Sequence, residues 1–380
     1  MRISLSLLQR SSGPSSHSFS SHNHATYAIG LSYASKSSPP FVAPNSSPKR
    51  YGFAKHKTPI GHWVDYALSQ PAGRGILSGG EPGGWGEEIR KEVERWGAGE
   101  DFFCIVDQQR TDESIAQSIK DQHVHLALSD GVGGWGDTVD PSLFSQSLMY
   151  HYALSATDSP SRTPIENLKK AYEGVTKDQG VPAGGGTGVG VRLGSDGEML
   201  GVNMGDSGCL VVRNNTVLYE TPSMTHYFNC PYQLSKIPPS MASGGMITDS
   251  LDDPKTYMKF SINLIPGDVI LLYTDGLSDN VPIPHLTSLL TQIDALLSHP
   301  SNSHLGYIDR QKERARLFAD VLVGYGRMAM AKTGQEDGVA AWKTPFQIEA
   351  AKHGYDFRGG KIDDITVVTA VVGERYPEED

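Results

Sequence analysis

The stretch VILLYTDGLSDN, residues 269–280, shows the pattern on which the fold prediction rests: an apolar run that ends in an Asp-Gly pair. The stretch HVHLALSDGVGGWGD, residues 123–137, repeats this pattern. Short apolar runs bounded by turn residues predict β-strands. Each of these two strands would therefore carry one carboxylate, Asp275 or Asp130, at its end.

Further strands and helices follow from the same kind of pattern. Apolar runs at 102–106, 188–193, 200–204, 209–212, 216–219, 258–264 and 365–372 predict seven more strands. Helices are predicted at 141–154, with Asp140 as N-cap, from Pro164, with Thr163 before it, and at 284–297 and 311–331. The helices fall into two groups and do not alternate with the strands. This order predicts an α+β fold of antiparallel sheets with helices outside.

Composition excludes several classes of protein. The chain has 380 residues and 38% hydrophobic residues, enough for a large core, but no apolar stretch near the roughly 20 residues of a membrane span. Residues 1–64 hold seven Lys or Arg and no acid, which leaves 26 basic against 43 acidic residues in the remainder. An acidic body argues against nucleic-acid binding. Three cysteines without a CxxC pair argue against a disulfide framework and a thiolate zinc site.

The N-terminal region differs in composition from the rest of the chain. Residues 1–38 are rich in serine, contain Arg2 and Arg10 and lack acids, which predicts a mitochondrial transit peptide and a location in the matrix. The alternative is a serine-rich tail without a targeting role. Residues 39–62 contain five prolines and are interpreted as a linker, so that a single folded domain would occupy residues 63–380.

Further acidic residues stand at predicted strand ends. Asp363 and Asp364 precede the last strand, Glu100 and Asp101 precede the first, and Asp206 lies in the turn GDSG. A single Asp-Gly pair is most often a plain hairpin turn. So many carboxylates at one end of a sandwich would repel one another unless cations neutralised them, and oxygen ligands in this number suit magnesium or manganese.

Two such ions about 4 Å apart lower the pKa of a shared water and prepare it for in-line attack on phosphorus. The sequence does not contain the GxSxG elbow of acyl hydrolases. The glycine-rich run at 184–190 lacks the GK[ST] ending of a P-loop and leads into a predicted strand. We therefore interpret it as a sharp loop, and not as a nucleotide site.

The order of these motifs resembles the metal-dependent, type 2C protein phosphatase family. The resemblance covers about residues 90–372 and is carried by ALSDGVGGWGD, GGGTGVG, NMGDSG, LLYTDGLSDN and GGKIDDITVV. FNCPYQLSKIPPS (228–240), VDPSLFSQSLM (139–149) and FRGGKIDDITVV (357–368) resemble in particular the mitochondrial branch of protein phosphatase 2C homologue seven. Residues 63–380 would then be the catalytic domain.

The resemblance implies a four-layer αββα sandwich with a binuclear manganese or magnesium site, and a weaker third ion in relatives. Asp130, Asp101 and Asp275 would be the catalytic residues, and Thr187 a small hydroxyl residue beside the substrate. The implied ligands are Asp130 between both ions, the Gly131 carbonyl and Glu100 on one ion with Asp101 bonding its water, Asp275 and Asp363 on the other, and Asp206 and Asp279 together with Asp275 on the third.

Two positions depart from the family pattern. Val132 stands where many relatives have a histidine that is proposed to protonate the leaving group, so the leaving-group acid is unassigned, and a metal-bound water is one candidate. Trp96 stands where relatives have a phosphate-binding arginine, with Arg95 one position away. Arg358 and Lys361 are the candidate substitutes, but the sequence favours a solvated loop cation at either position.

The expected activity is hydrolysis of phosphoserine and phosphothreonine in mitochondrial proteins, and the resemblance implies proteins of coenzyme Q biosynthesis among them. One alternative is a catalytically inactive relative that binds partners through the same fold. Another is a metal-dependent hydrolase of small phosphorylated metabolites.

Overall fold

Two antiparallel sheets of five strands each form the centre of the protein. The computed structural model describes residues 24–43, 45–70, 91, 93–109, 123–135, 139–238 and 249–375. Sheet 1 has the order β1 (His24–Ala34), β14 (Ile365–Arg375), β13 (Val269–Tyr273), β7 (Gly208–Arg213) and β8 (Thr216–Glu220). Sheet 2 has the order β12 (Met258–Asn263), β6 (Glu198–Met204), β5 (Gly188–Gly194), β3 (His123–Ser129) and β2 (Phe102–Asp107).

Two short ribbons and a set of helices complete the described fold. One ribbon pairs β4 (Gly184–Gly186) with β11 (Leu234–Lys236), and the other pairs β9 (Thr225–Tyr227) with β10 (Cys230–Pro231). The α-helices are α1 (Pro59–Leu68), α2 (Pro141–Asp158), α3 (Pro164–Lys177), α4 (Asp275–Ser278), α5 (Ile283–Leu297), α6 (Tyr307–Met330) and α7 (Pro345–Lys352), with 3₁₀ turns at Pro300–Asn302 and Gly338–Ala340.

The core explains why β13 is apolar at every position. Ile270 and Leu272 belong to the cluster between the sheets, whereas Val269 and Leu271 pack with residues of α5 and α6 on the outer face of sheet 1. Because successive side chains point to opposite faces, a strand covered on both sides needs a continuous apolar run. Helices α2 and α3 cover sheet 2 in the same way. The result is the predicted four-layer αββα sandwich.

Most predicted elements are confirmed by the structure. All nine predicted strands form. Helix α2 begins at Pro141 with the Asp140 side chain accepting from the Ser142 N–H. Helix α3 begins at Pro164 with a capping box between Thr163 and Glu166. These starts follow from proline at the first helical position and an oxygen-bearing side chain before it.

The predicted N-terminal boundary at residue 38 is wrong as a boundary of the folded domain. Strand β1 pairs with the whole of β14, from His24 opposite Arg375 to Ala34 opposite Ile365. Leu31 and Tyr33 are fully buried, and the Tyr33 hydroxyl donates to the Leu68 carbonyl at 2.9 Å. The domain therefore includes residue 24, and of the predicted transit peptide residues 1–23 lie outside the described part.

The predicted linker at 39–62 also belongs to the folded domain. Tyr51 and Phe53 are buried, and the Phe53 N–H donates to Gln146 Oε1 at 2.7 Å. Helix α1 already begins at Pro59. The prolines indicated an extended course, but two aromatic side chains hold this segment against α2. Among the described helices, none combines the length and the apolarity that crossing a membrane requires.

Candidate metal centre

Three aspartates from both sheets converge between them. Asp130 directly follows β3, Asp206 lies in the turn between β6 and β7, and Asp275 is the first residue of α4, directly after β13. One carboxylate oxygen of each lies within 4.8 Å of those of the other two. The sequence predicted this convergence from strand ends, and these three residues do meet.

The acidic pairs before β2 and β14 lie beside this group. Asp101 is fully buried and accepts a hydrogen bond from the Thr274 hydroxyl at 2.8 Å. Asp364 accepts from the backbone N–H of Glu100 at 2.9 Å, which joins the start of β2 to the start of β14. Asp364 is thus a positioning residue that the resemblance did not assign.

Burial and mutual repulsion make this cluster costly without cations. Burial raises the pKa of Asp101, Asp130 and Asp206 well above that of an ordinary aspartate, and neighbouring carboxylates raise it further. Burial also acts to raise the pKa of Asp275, but the Lys361 ammonium, together with Asp130 and Lys36, holds the pKa below its usual value. A nearby positive charge therefore already stabilises the ionised form of Asp275.

The residues present fit a divalent cation. Asp101 Oδ1, Asp206 Oδ1 and Asp275 Oδ1 are buried oxygens without a hydrogen-bond partner. Buried polar atoms without a partner are uncommon and need an explanation, and an ion is one. Carboxylate oxygens are the ligands that magnesium and manganese prefer. The arrangement thus supplies what an oxygen-ligated metal centre needs.

Two lysines bind the remaining carboxylates. The Lys36 ammonium lies 2.8 Å from Glu100, 3.2 Å from Asp363 and 3.3 Å from Asp364. The Lys361 ammonium contacts Asp363 as well, at 3.2 Å. Lys36 was not predicted as a site residue, because residues 1–38 were assigned to a removable peptide. The sequence feature that could have indicated it is the alternation of apolar residues in β1, which ends two residues before Lys36.

Lys361 is not the solvated loop cation that the sequence favours. Its ammonium lies 2.6 Å from Asp275 and 2.7 Å from Asp279, and its side chain is only 17% exposed. Arg358, the other candidate substitute, forms an ion pair with Asp356, and both side chains are largely exposed. The structure therefore gives no support to Arg358 as a substrate-binding residue.

Thr187 lies beside Asp130, and its hydroxyl is hydrogen-bonded to the backbone of that residue. The hydroxyl accepts from the Asp130 N–H at 3.0 Å and lies 2.7 Å from the Ser207 hydroxyl. The side chain is fully buried. Thr187 therefore positions Asp130, and its expected role in substrate binding stays a prediction.

The loop after Asp130 is held at the end of the ribbon β4–β11. Gly131 forms a bridge with Gly186, and its N–H donates to the Glu100 carbonyl at 3.2 Å. The Val132 N–H donates to the Gly185 carbonyl at 3.0 Å. A side chain at Gly131 would place its Cβ 2.7 Å from the Glu100 carbonyl oxygen, so the close approach of the two segments requires glycine here.

Comparison with known proteins adds independent information. No protein-family model matches the chain. Human "Protein phosphatase PTC7 homolog" is 33% identical over 300 residues, covering 77% of this chain and 86% of the relative. The Xenopus laevis homolog is 32% identical with 77% and 88% covered. The "X-ray structure of the photosystem II phosphatase PBCP" superposes with a TM-score of 0.52 at 26% identity, covering 72% of this chain and 91% of that one.

Proposed function

Because this chain belongs to the PTC7 branch of the type 2C protein phosphatases, we propose that it hydrolyses phosphoserine and phosphothreonine esters with two manganese or magnesium ions. The observation that carries the proposal is the approach of Asp130, Asp206 and Asp275 to within 4.8 Å, with buried oxygens left without partners. Family membership supports the phosphatase class, and the donor set supports the metal requirement.

Some residues of the chain would bind the ions, and others would hold these ligands in position. Asp130 would hold both ions, with Glu100 and the Gly131 carbonyl on one side and Asp275 and Asp363 on the other. Two divalent ions, when bound, lower the pKa of a water and make it a nucleophile toward phosphorus. Asp101, fixed by Thr274, would accept a hydrogen bond from a water at this centre.

Lys36 is the residue that we propose binds the substrate phosphate. The family's arginine position holds Trp96, whose side chain is buried. Lys36 instead enters the site from the end of β1, and 33% of its side chain is exposed. Burial acts to lower its pKa, but Asp364, Asp363 and Glu100 raise it strongly, so the side chain stays positively charged. An ammonium group is a suitable point charge for a phosphate oxygen.

The test is manganese-dependent hydrolysis of a phosphoserine peptide by the wild type and Asp130→Ala. We expect loss of at least about a thousandfold in kcat/KM, on the order of what an essential electrostatic contribution supplies. Asp252→Ala is the matched control, because Asp252 is an acid whose side chain is 93% exposed and contacts Lys169. Wild-type protein without metal-dependent turnover would instead support the inactive relative.

A substrate panel separates a protein phosphatase from a hydrolase of small metabolites. We expect phosphopeptides to be hydrolysed with higher kcat/KM than sugar phosphates and nucleotides at equal manganese concentration. The reverse order would favour the metabolite hydrolase.

We also propose a mitochondrial location, which is supported by the serine-rich, acid-free composition of residues 1–23 with Arg2 and Arg10. Substrates would then be phosphorylated mitochondrial proteins, and the resemblance extends the proposal to proteins of coenzyme Q biosynthesis. Phosphoproteomics of mitochondria with and without this protein tests both statements. A location outside mitochondria, found by fractionation, would contradict them.

A further inference from the structure

The Lys361 ammonium is placed among carboxylates that the metal centre also uses. It lies 2.6 Å from Asp275 Oδ2, 2.7 Å from Asp279 Oδ2 and 3.2 Å from Asp363 Oδ2. The contacts with Asp275 and Asp279 are hydrogen bonds, and the contact with Asp363 is an ion pair. The position between these carboxylates is therefore already taken by a positive charge that belongs to the chain.

The position of Lys361 is fixed by its surroundings. The backbone N–H of Lys361 donates to Asn280 Oδ1 at 3.0 Å, and the backbone carbonyl of Lys361 accepts from Asn280 Nδ2 at 2.9 Å. Asn280 is fully buried. The ammonium also lies 5.1 Å from the centre of the Phe346 ring, and the Phe346 N–H donates to the Asp279 carbonyl at 2.9 Å. Contacts with the Asn280 side chain, the Phe346 ring and the carboxylates therefore fix the position of Lys361.

Asp275 is shared between two cation positions. Its Oδ2 accepts from Lys361, whereas its Oδ1 is buried without a hydrogen-bond partner. Asp275 also belongs to the group formed with Asp130 and Asp206. One oxygen of the carboxylate is therefore committed to the lysine while the other remains for a divalent ion.

We propose that the Lys361 ammonium acts as a permanent cation at Asp279 in place of a third divalent ion, so that the chain binds two ions and not three, and Asp206 serves these two ions beside Asp130 and Asp275. A divalent ion at Asp279 would have to displace the ammonium from three carboxylates or lie in contact with it, and like charges so close repel strongly. The inference rests on the proposed metal-dependent function and assigns Lys361 as a positioning residue of that centre.

The test is the number of manganese ions bound, measured by equilibrium dialysis and located by anomalous diffraction of manganese-soaked crystals. We expect two ions in the wild type and in Lys361→Arg. Lys361→Met keeps a long, unbranched side chain but removes the charge, and we expect a third, weaker ion between Asp275 and Asp279. Lys352→Met is the matched control, because Lys352 is an exposed lysine that pairs with Glu349, and we expect two ions.

The outcomes separate the inference from the proposed function. A manganese ion at Asp279 in the wild type, or no third ion in a folded Lys361→Met protein, would overturn the inference. Wild-type protein that binds no manganese would overturn the metal-dependent function itself. If Lys361→Met does not fold, the second variant is Asp279→Asn in the otherwise unchanged chain. We expect this variant still to bind two ions, and loss of an ion would contradict the inference.

Discussion

At the scale of single residues, Lys36 brings a positive charge to a site made mainly of acids. We predict that Lys36→Met lowers kcat/KM for a phosphopeptide about tenfold to a hundredfold, because a hydrogen bond to a charged group contributes roughly 1.5–3 kcal/mol. Lys36→Arg should recover part of the loss.

The control for Lys36 is Lys170→Met, since Lys170 is a half-exposed lysine that pairs with Glu173 on α3. Its kinetics should match those of the wild type. If Lys36→Met hydrolysed phosphopeptides as fast as Lys170→Met, Lys36 would have no part in phosphate binding.

Gly99 shows how closely the segment before Glu100 approaches the start of β14. Its φ is +72°, and a Cβ there would lie 1.9 Å from Asp364 Oδ1. We predict that Gly99→Ala lowers the free energy of unfolding by at least about 2 kcal/mol, since the strained backbone alone costs of order 1–3 kcal/mol. Urea denaturation measures this.

The matched variant for Gly99 is Gly133→Ala, because no atom lies within 4 Å of a Cβ placed there. We expect its free energy of unfolding to stay within about 0.5 kcal/mol of the wild type, as for most surface substitutions. Equal losses in both variants would contradict the steric argument.

His125 is a buried residue whose ionisation opposes folding. Nε2 lies 2.8 Å from the Pro160 carbonyl and so carries the proton that it donates, while Nδ1 accepts from Asn167 Nδ2 at 3.3 Å. Burial lowers the pKa of His125 to about 4. The unfolded chain, with a histidine pKa near 6.5, therefore binds a proton that the folded chain does not between about pH 6.5 and pH 4.

The consequence is a loss of stability on acidification. His125 should contribute about 3 kcal/mol of this loss as the pH falls from about 6.5 to about 4, since each pKa unit corresponds to about 1.36 kcal/mol. His125→Gln keeps a donor and an acceptor without the ionisation, so its stability should fall less steeply over that range. Parallel pH profiles of the two proteins in urea denaturation would contradict this.

At the scale of elements, β1 is the strand that was not predicted, because the composition around it indicated a targeting peptide. Tyr27, Leu31 and Tyr33 alternate toward the core between the sheets, a period of two that predicts a strand. The serine-rich sequence around them has the composition of a targeting peptide, and that broader signal dominated the interpretation. Only the pairing with β14 distinguishes the two, and β14 lies more than 300 residues away in the chain.

Truncations test the boundary directly. Removing residues 1–23 should leave the midpoint of thermal unfolding within a few degrees of that of the full chain, whereas removing residues 1–34 should prevent cooperative unfolding. The second truncation exposes the edge of β14 and removes the side chains of Leu31 and Tyr33 from the core. Circular dichroism on heating measures both.

The same boundary limits where a targeting peptide can be removed. If a targeting peptide is removed, the new N-terminus should lie at or before His24, because cleavage at residue 38 would remove β1 and Lys36. Sequencing of the mature N-terminus decides this. Cleavage after Lys36 in active protein would show that neither β1 nor this lysine is needed.

At the scale of the whole molecule, the site joins the two sheets. Asp130 and Asp206 follow strands of sheet 2, whereas Asp275 follows β13 and Asp363 precedes β14 of sheet 1. Strand ends and motif order were enough to predict this convergence, because apolar runs and turn residues are local properties. The two lysines could not be placed in the same way, since their partners are set by packing between distant segments.

Metal binding should therefore stabilise the whole fold and not only a loop. A ligand that binds only the folded state adds about 2.7 kcal/mol at a free concentration a hundred times its Kd. We predict that manganese raises the midpoint of thermal unfolding by several degrees, that a chelator reverses this rise, and that Asp130→Asn abolishes most of it. Because the ligands come from both sheets, the unfolding transition should stay single at every manganese concentration. A manganese effect equally large in Asp130→Asn would mean that the ions bind elsewhere.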